Sequence, residues 1–282
     1  MRIFVLLTLM LITACGSKHS PEIVLSDMFE PSGNITDLHT GKLLTAQQLL
    51  LALSKQPVII IGEQHDNVAH HQIEHWLIDE LPHYRPQGSI LMEMFTPDQQ
   101  VKIDTIKNSL YVVFPDNGIQ LMQDLNWKQS WNWALYGPIV ITALQAPYPL
   151  LSANLDRHEI SDIYKHPVFT QGLLSSQPEV RQSLSNIIRL SHGNRIDSQQ
   201  LNAMLAIQQQ RDRRMAQSLS AAPMPSLLIA GAYHAAKNLG VPLHMQDIGI
   251  EKPPTVLMLV EKGASNKSDV ADYQWEAKFL KP

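Results

Sequence analysis

The stretch of residues 57–81 limits what this chain can fold into more than any other part of the sequence. An aliphatic run at residues 58–61 ends at Gly62, and a helical pattern follows at about residues 68–81, where Pro82 is expected to end the helix. A buried strand that passes through a glycine turn into a helix is typical of open α/β sheets, which hold ligands at the carboxyl ends of their strands. We therefore expect a ligand site at this turn.

The turn and the first helical residues after it are rich in ionisable side chains. Glu63 and His65 closely follow the glycine, and His70 and His71 come soon after them. At roughly 100° per residue, His70 falls on the same side of the helix as the apolar positions, so we expect it to face the interior, with His71 beside it. The pattern leaves open whether His70 is a core histidine or a site residue.

Two further aliphatic runs, at residues 88–95 and 226–230, predict buried strands. Glu93 lies near the end of the first run, and a buried carboxylate needs a partner, a proton or a ligand. In a parallel sheet this strand end would lie next to Glu63, although a hydrogen bond to a neighbouring loop is the alternative. The second run leads into a second Gly-x-x-His motif, which ends at His234. The repeated motif predicts that these residues share one edge of the sheet.

The other strands complete the predicted architecture. Core strands are expected at residues 148–155 and 255–262, and a small hairpin at residues 34–45, while aromatic and polar residues alternate at 273–279 as in an edge strand. Residues 96–142 have helical patterns and are rich in tryptophan, which predicts a helical insertion over the strand ends. The fold class is therefore α/β, a mostly parallel β-sheet flanked by helices, with a smaller all-helical subdomain inserted.

Two other parts of the chain are expected to support the site. Asn154, at the end of the strand at residues 148–155, would reach the same edge of the sheet. A long helix is predicted at about residues 198–219, and Arg211 and Asp212 interrupt its apolar side. Opposite charges buried together usually pair, so we expect these two to pair with each other. A supporting role behind the site is the alternative.

The first 14 residues have the pattern of a lipoprotein signal peptide. A basic residue and a short apolar stretch lead through an aliphatic residue and two small ones to Cys15, the single cysteine of the chain. Such a segment is too short to span a membrane and is typically cleaved. We expect Cys15 to carry a lipid such as palmitate, residues 15–33 to form a tether, and residues 34–282 to form the folded domain. Gly16 favours sorting to the bacterial outer membrane, and a plain secretory signal is the alternative.

Composition and missing motifs exclude several classes of function. A formal net charge of −4 argues against nucleic-acid binding. The sequence contains no Gly-x-Ser-x-Gly nucleophile elbow, no glycine-rich phosphate loop and no Cys-x-x-Cys-His haem attachment. Carboxylates and imidazoles remain, and these bind divalent metals or transfer protons. The residues thus allow a metal-dependent hydrolase, in which Glu63, His65, Glu93 and His234 bind a metal that activates water.

Seven short segments share their order and spacing with a known family. They are residues 62–67 with His70 and His71, 91–95, 136–138, 152–157, 208–216, 230–234 and 240–242. Together they resemble the ChaN-type haem-binding lipoprotein family, which is related to the TIKI-like and erythromycin-esterase-like proteins. The resemblance covers roughly residues 34–262. It implies a parallel sheet with flanking helices, a small helical domain and a haem pocket formed on dimerisation.

The resemblance also implies how haem is held. In that family a tyrosine binds the iron, and tyrosinate is a suitable ligand for ferric iron. Tyr136 is our first choice, because the residues around it follow the family pattern, including the Gly-Pro pair at 137–138. Tyr233 replaces what is usually a small residue in the second motif and is the next choice, ahead of Tyr164 and Tyr148.

The histidines are expected to orient the porphyrin or its propionates. The residues concerned are His65, His70, His71 and His234. The predicted helix N-terminus at residues 66–67 would add hydrogen-bond donors. The resemblance implies that the protein is a haem-binding outer-membrane lipoprotein that takes part in haem uptake or storage. It also implies that the protein dimerises when it binds haem and that its partner is an outer-membrane haem receptor. We expect binding rather than catalysis, and the metal-dependent hydrolase is the alternative.

Overall fold

A computed structural model describes residues 32–109 and 118–278 of the chain. The predicted signal peptide, Cys15 and nearly all of the predicted tether lie outside these residues, so those expectations stay predictions. Within the described ranges, no helix combines the length and the hydropathy needed to cross a membrane.

The described residues form one eight-stranded sheet in the order β2-β1-β8-β7-β3-β6-β4-β5. The strands are β1 Gly33–Asp37, β2 Leu43–Leu44, β3 Val58–Glu63, β4 Ser89–Met92, β5 Leu150–Ser152, β6 Ser226–Gly231, β7 Thr255–Val260 and β8 Tyr273–Ala277. Strand β1 pairs antiparallel with β2 and β8, and the other neighbouring strands pair in parallel. The predicted mostly parallel sheet is therefore confirmed.

Helices cover both faces of the sheet. They are α1 Ala46–Leu53, α2 Val68–Tyr84, α3 Gln100–Asn108, α4 Ile119–Asp124, α5 Trp133–Gln145, α6 Arg157–Lys165, α7 Pro178–Ser191, α8 Ser198–Ala221, α9 Ala232–Ala235 and α10 Val241–Asp247. Ile59 and Ile61 of β3 join a core with α1, α2, α3 and α5, whereas Val58 and Ile60 join a core with α8, α9 and α10. Because side chains alternate along a strand, a strand covered on both faces is a continuous aliphatic run.

Two predictions, one about the end of a helix and one about the position of a strand in the sheet, were wrong. Pro82 lies inside α2, which ends two residues later at Tyr84, so the backbone hydrogen bond that the proline removes is in the last turn of the helix. Strand β8 is an inner strand between β1 and β7, and Trp275 on it is fully buried. The N-terminal strand β1 pairs with β8 on the side that the alternation of aromatic and polar residues had predicted to be an open edge.

The position of Glu93 also differs from the prediction. Strand β4 ends at Met92, so Glu93 lies just beyond it, and β6 lies between β3 and β4. Glu93 is therefore not on the strand next to Glu63, although both residues lie at the carboxyl edge of the sheet.

Candidate functional site

The first half of the site is built around Glu63, the last residue of β3. This carboxylate is almost completely buried, and its Oε1 atom accepts a hydrogen bond from the Tyr136 hydroxyl at 2.8 Å. The Nδ1 atom of His65 lies 2.6 Å from the same oxygen and 3.1 Å from the Tyr136 hydroxyl. Burial alone would lower the pKa of His65, but the hydrogen bond and charge of Glu63 raise it above its usual value. Helix α5 thus brings Tyr136 to the turn that the sequence singled out.

Tyr136 is enclosed on every side. Its side chain is fully buried, and its ring packs against the rings of His71, Trp127 and Trp131. Burial raises the pKa of the phenol well above its usual value, and the neighbouring charge of Glu63 raises it further. The side chain is therefore a neutral hydrogen-bond donor to Glu63 in this structure.

A second pair lies behind the first group. The Nδ1 atom of His71 is 3.0 Å from Glu74 Oε2, and its Nε2 atom is 3.1 Å from the backbone oxygen of His65. Burial raises the pKa of Glu74, while the hydrogen bond and charge of Glu74 raise the pKa of His71 above its usual value. Both nitrogens of His71 are engaged, and its ring is buried, so it orients the turn rather than facing a ligand.

The other half of the site centres on His234, next to the end of β6. Its Nδ1 atom lies 2.5 Å from Asp212 Oδ1, and its Nε2 atom lies 3.4 Å from Glu93 Oε1. Burial opposes the charged form, but the two carboxylates prevail and raise the pKa of His234 to about 10. Glu93 also accepts a hydrogen bond from the backbone N–H of Gly231 at 2.8 Å. A buried imidazolium between two carboxylates is thus a fixed part of this half.

The prediction that Asp212 forms an ion pair with Arg211 was wrong. Asp212 is fully buried and pairs with His234, and Gln208 on the same side of α8 lies 3.0 Å from the same nitrogen. The alternative of a supporting role describes Asp212 better. The four-residue spacing of Gln208 and Asp212 places both on one helix face, and that spacing was the signal that could have identified them.

The two halves meet where His65 lies against Gly231. A Cβ atom on Gly231 would lie 2.9 Å from His65 Nε2 and 3.6 Å from Glu93 Oε2. A side chain at position 231 would therefore have to displace the His65 ring from its place against the strand end. The side chain of His65 is 43% exposed, whereas that of His234 is buried. Among the histidines that the sequence singled out, His65 is the one that a ligand can reach.

His70 and Asn154 are structural. His70 is fully buried, its Nδ1 atom accepts the backbone N–H of Gln64 at 3.0 Å, and burial lowers its pKa to about 4. Asn154 donates to the backbone oxygen of Glu93 at 2.9 Å and so holds the segment after β4 in place. Of the two interpretations of His70, the structure favours the core histidine.

The four residues expected to bind a metal do not come together as one ligand set. In the described ranges, the group of three whose potential ligand atoms all lie within 4.8 Å of one another is Glu63, His71 and Glu74. Only Glu63 belongs to both sets. Glu93 pairs with His234, whereas Glu63 pairs with His65, so the four residues form two separate pairs.

Tyr233 lies at the same edge of the sheet but faces outward. It is 55% exposed in α9 and lines a cavity of about 300 Å³. The apolar part of the lining includes Ala232, Ala236, Leu239, Met258, Leu259 and Val270. Gln64, the neighbour of His65, lines the same cavity. This phenol therefore stands beside an apolar surface near the exposed histidine.

The fold and the site together define an α/β protein with a histidine–carboxylate centre at the strand ends. Residues 49–245 match the family described as haem-binding uptake, Tiki superfamily, ChaN. The chain therefore belongs to the ChaN family of haem-binding uptake proteins, as the sequence segments predicted.

Solved structures agree with this assignment. The chain is 30% identical to a Campylobacter jejuni protein described as "Cofacial heme binding to ChaN", with a TM-score of 0.79, over 88% of this chain and 97% of that one. The type III effector HopBA1 is 13% identical with a TM-score of 0.47, over 82% and 93% of the two chains. An erythromycin esterase, the EreC H289N mutant, is 12% identical with a TM-score of 0.46, over 88% and 83%. The TM-scores of these last two structures are below 0.5, and their similarity carries no functional conclusion. Comparison with curated proteins found no match.

Proposed function

We propose that this protein binds haem with Tyr233 as the iron ligand, at an interface between two copies of the chain. The observation that carries the proposal is an exposed phenol beside an apolar cavity at the ligand-binding edge of the sheet. A porphyrin needs an apolar surface for its ring and a ligand that can reach its iron, and tyrosinate serves ferric iron in this role. Tyr233 meets both needs.

Tyr136, the first choice from the sequence, is poorly suited to hold the iron. Its hydroxyl proton is donated to Glu63, and ionising the phenol would place two negative charges side by side in a buried site. Access to an iron atom would also require the packed rings of Trp127 and Trp131 to separate. Tyr148 is similarly unsuited, because burial raises its pKa to about 12.

Two arguments support a dimer around haem. A cavity of about 300 Å³ is at the small end for an organic ligand, so one chain would leave much of a porphyrin uncovered. The similar Campylobacter structure is described as binding haem cofacially. Two porphyrins stacked face to face bring their two protein chains together. The exposed ring of His65, with its raised pKa, is available to donate to a propionate at that interface.

A hemin titration tests the proposal. We expect the metal-free protein to bind one hemin per chain with a tyrosinate-type absorbance spectrum, and sedimentation velocity to show a dimer once hemin is added. Tyr233→Phe should lose the tyrosinate bands, whereas Tyr136→Phe should keep them. Tyr164→Phe is the matched control, because Tyr164 is also exposed, at 44%, but lies on α6. Loss of the bands in Tyr136→Phe instead would refute the assignment, and an unaltered spectrum of free hemin would refute haem binding.

We further propose that the mature protein is anchored through a lipid on Cys15 in the outer membrane, where it takes part in haem uptake or storage near a haem receptor. The lipobox before Cys15 and the uptake family to which the chain belongs support this proposal. Labelled palmitate should be incorporated into the wild-type protein in cells, and Cys15→Ala should abolish both the labelling and the recovery in outer-membrane fractions. Labelling that survives Cys15→Ala would contradict the anchor.

A further inference from the structure

A second cavity lies beside the histidine–carboxylate centre, and the function proposed above assigns no role to its charged residues. This basic cleft has a volume of about 560 Å³. Its lining includes Asp98, Lys128, Trp131, Asn154, Arg157 and Arg211. We propose that the basic cleft is an anion-binding site that takes a carboxylate group of a small organic molecule.

The first argument is the charge balance of the lining. Lys128, Arg157 and Arg211 are cations, and Asp98 is the acidic residue of the lining. Asp98 and Lys128 offset each other, because the Lys128 ammonium donates to Thr96 Oγ1 at 2.7 Å, and that same hydroxyl donates to Asp98. Two positive charges therefore remain in the basic cleft, both on guanidinium groups.

The second argument is that, within the described residues, neither of the two remaining guanidinium groups forms an ion pair, although the charge of Arg211 does act on Asp212. The arginine ion pairs of α8 are made by Arg213 and Arg214, with Asp247 and Glu159. Within residues 32–109 and 118–278, no carboxylate lies within 4 Å of Arg157 or Arg211, and the Nε atom of Arg211 is buried without a hydrogen-bond acceptor.

A buried donor without an acceptor costs free energy that a bound acceptor would recover. The carboxylate nearest in sequence, Asp212, is taken up by His234. A guanidinium presents parallel N–H groups in a planar fork that matches the two oxygens of a carboxylate. The chemistry of Arg211 thus specifies an anion, and a carboxylate fits its fork.

The third argument is the position of the cleft. Trp131 lines it and also packs edge-on against His65, with ring centroids 4.9 Å apart. Asn154 lines it and bonds to the backbone of Glu93. A molecule anchored by Arg211 can therefore rest its body on the Trp131 indole and lie beside the half-exposed His65 ring. The basic cleft thus reaches His65 through Trp131, whereas the cavity at Tyr233 is lined by Gln64, the neighbour of His65.

Two sources could supply the carboxylate, a haem propionate or a free organic acid. The first rests on the proposed haem function and the second does not. Hemin, hemin dimethyl ester (which lacks the propionate charges) and citrate are suitable probes, because they separate the two sources. The variants are Arg211→Gln and Arg157→Gln, and the matched control is Arg189→Gln, since Arg189 is exposed on α7, away from the lining.

If the cleft takes a propionate, Arg211→Gln should weaken hemin binding about tenfold or more, the usual effect of losing a charge-assisted hydrogen bond. Hemin dimethyl ester should bind the wild type and Arg211→Gln equally. If the cleft takes a free acid, hemin affinity should not change, but citrate binding in calorimetry should be lost in Arg211→Gln. Arg157→Gln should show a smaller effect in the same direction, and Arg189→Gln none.

The proposal is overturned if neither hemin affinity nor citrate binding depends on Arg211 or Arg157. Should the protein bind no hemin at all, the haem function fails, and the citrate measurement decides the anion site on its own. Near-ultraviolet circular dichroism checks that Arg211→Gln folds. If it does not, the exposed Arg157→Gln carries the test, and unchanged binding in that variant then refutes the proposal.

Discussion

Protonation of His70 should make the protein lose stability in mild acid. Its imidazole is fully buried and accepts the Gln64 backbone N–H through Nδ1, and burial lowers its pKa from 6.5 to about 4. As the pH falls below 6.5, the unfolded chain binds this proton first, so folding becomes less favourable until the folded pKa is reached. The stability that His70 contributes is therefore complete above pH 6.5 and decreases down to about pH 4, by about 3 kcal/mol.

The comparison that isolates this effect is His70→Asn. The asparagine Oδ1 atom can occupy the place of Nδ1 and accept the same N–H, but it does not titrate. Urea unfolding followed by tryptophan fluorescence, at intervals from pH 7.5 to pH 4, gives the free energy of unfolding of both proteins. The variant is expected to be less stable at pH 7.5 because it packs less well, and the gap should narrow by about 3 kcal/mol toward pH 4. The buried His244 titrates alike in both proteins, so its effect cancels. Parallel pH curves would refute the reasoning.

Three substitutions test the packing that positions the site, each measured as the change in free energy of unfolding at pH 7.5. Gly62→Ala places a Cβ atom 2.6 Å from Met258 Sδ and 2.7 Å from Ala235 Cβ, so we expect a loss of about 1–3 kcal/mol, and an unchanged stability would mean that the strand end can shift. Asn67→Ala removes the side-chain cap that accepts from the first N–H groups of α2 and should cost about 1 kcal/mol, with Asn67→Asp as the rescuing control. Leu77→Ala empties a fully buried position of α2 and should cost about 2–5 kcal/mol, whereas a loss below 1 kcal/mol would contradict the described core.

Local patterns were sufficient for the elements around the first motif. Strand β3 and helix α2 lie where the aliphatic run and the helical periodicity indicated, and the glycine turn between them carries Glu63 and His65. The same holds for β6 and His234. A strand that is buried on both faces must be aliphatic throughout, so its signal is contained in a few consecutive residues. The family segments were equally local, and they led to the correct family.

The partners of the site residues depended on contacts between distant parts of the chain. Sequence spacing could not show that β6 separates β3 from β4, and so it placed Glu93 beside Glu63 instead of beside Gly231. It also paired Asp212 with its neighbour Arg211, although packing of α8 against the end of β6 brings Asp212 to His234. Which charged residues pair depends on which helices and strands lie next to each other in the fold. Local patterns in a single sequence do not show which elements will be neighbours.

The sequence by itself thus determined the parallel α/β class, the two Gly-x-x-His turns and the family, because each depends on short-range periodicity and turn chemistry. Only the tertiary structure decided which tyrosine a ligand can reach. The sequence offers both Tyr136 and Tyr233 as iron ligands, yet helix α5 packs the first against Glu63 with no exposed surface, while α9 leaves the second 55% exposed. Exposure is a property of the assembled layers rather than of the residues next to a side chain, and this is why the choice between the two could not be made from the sequence.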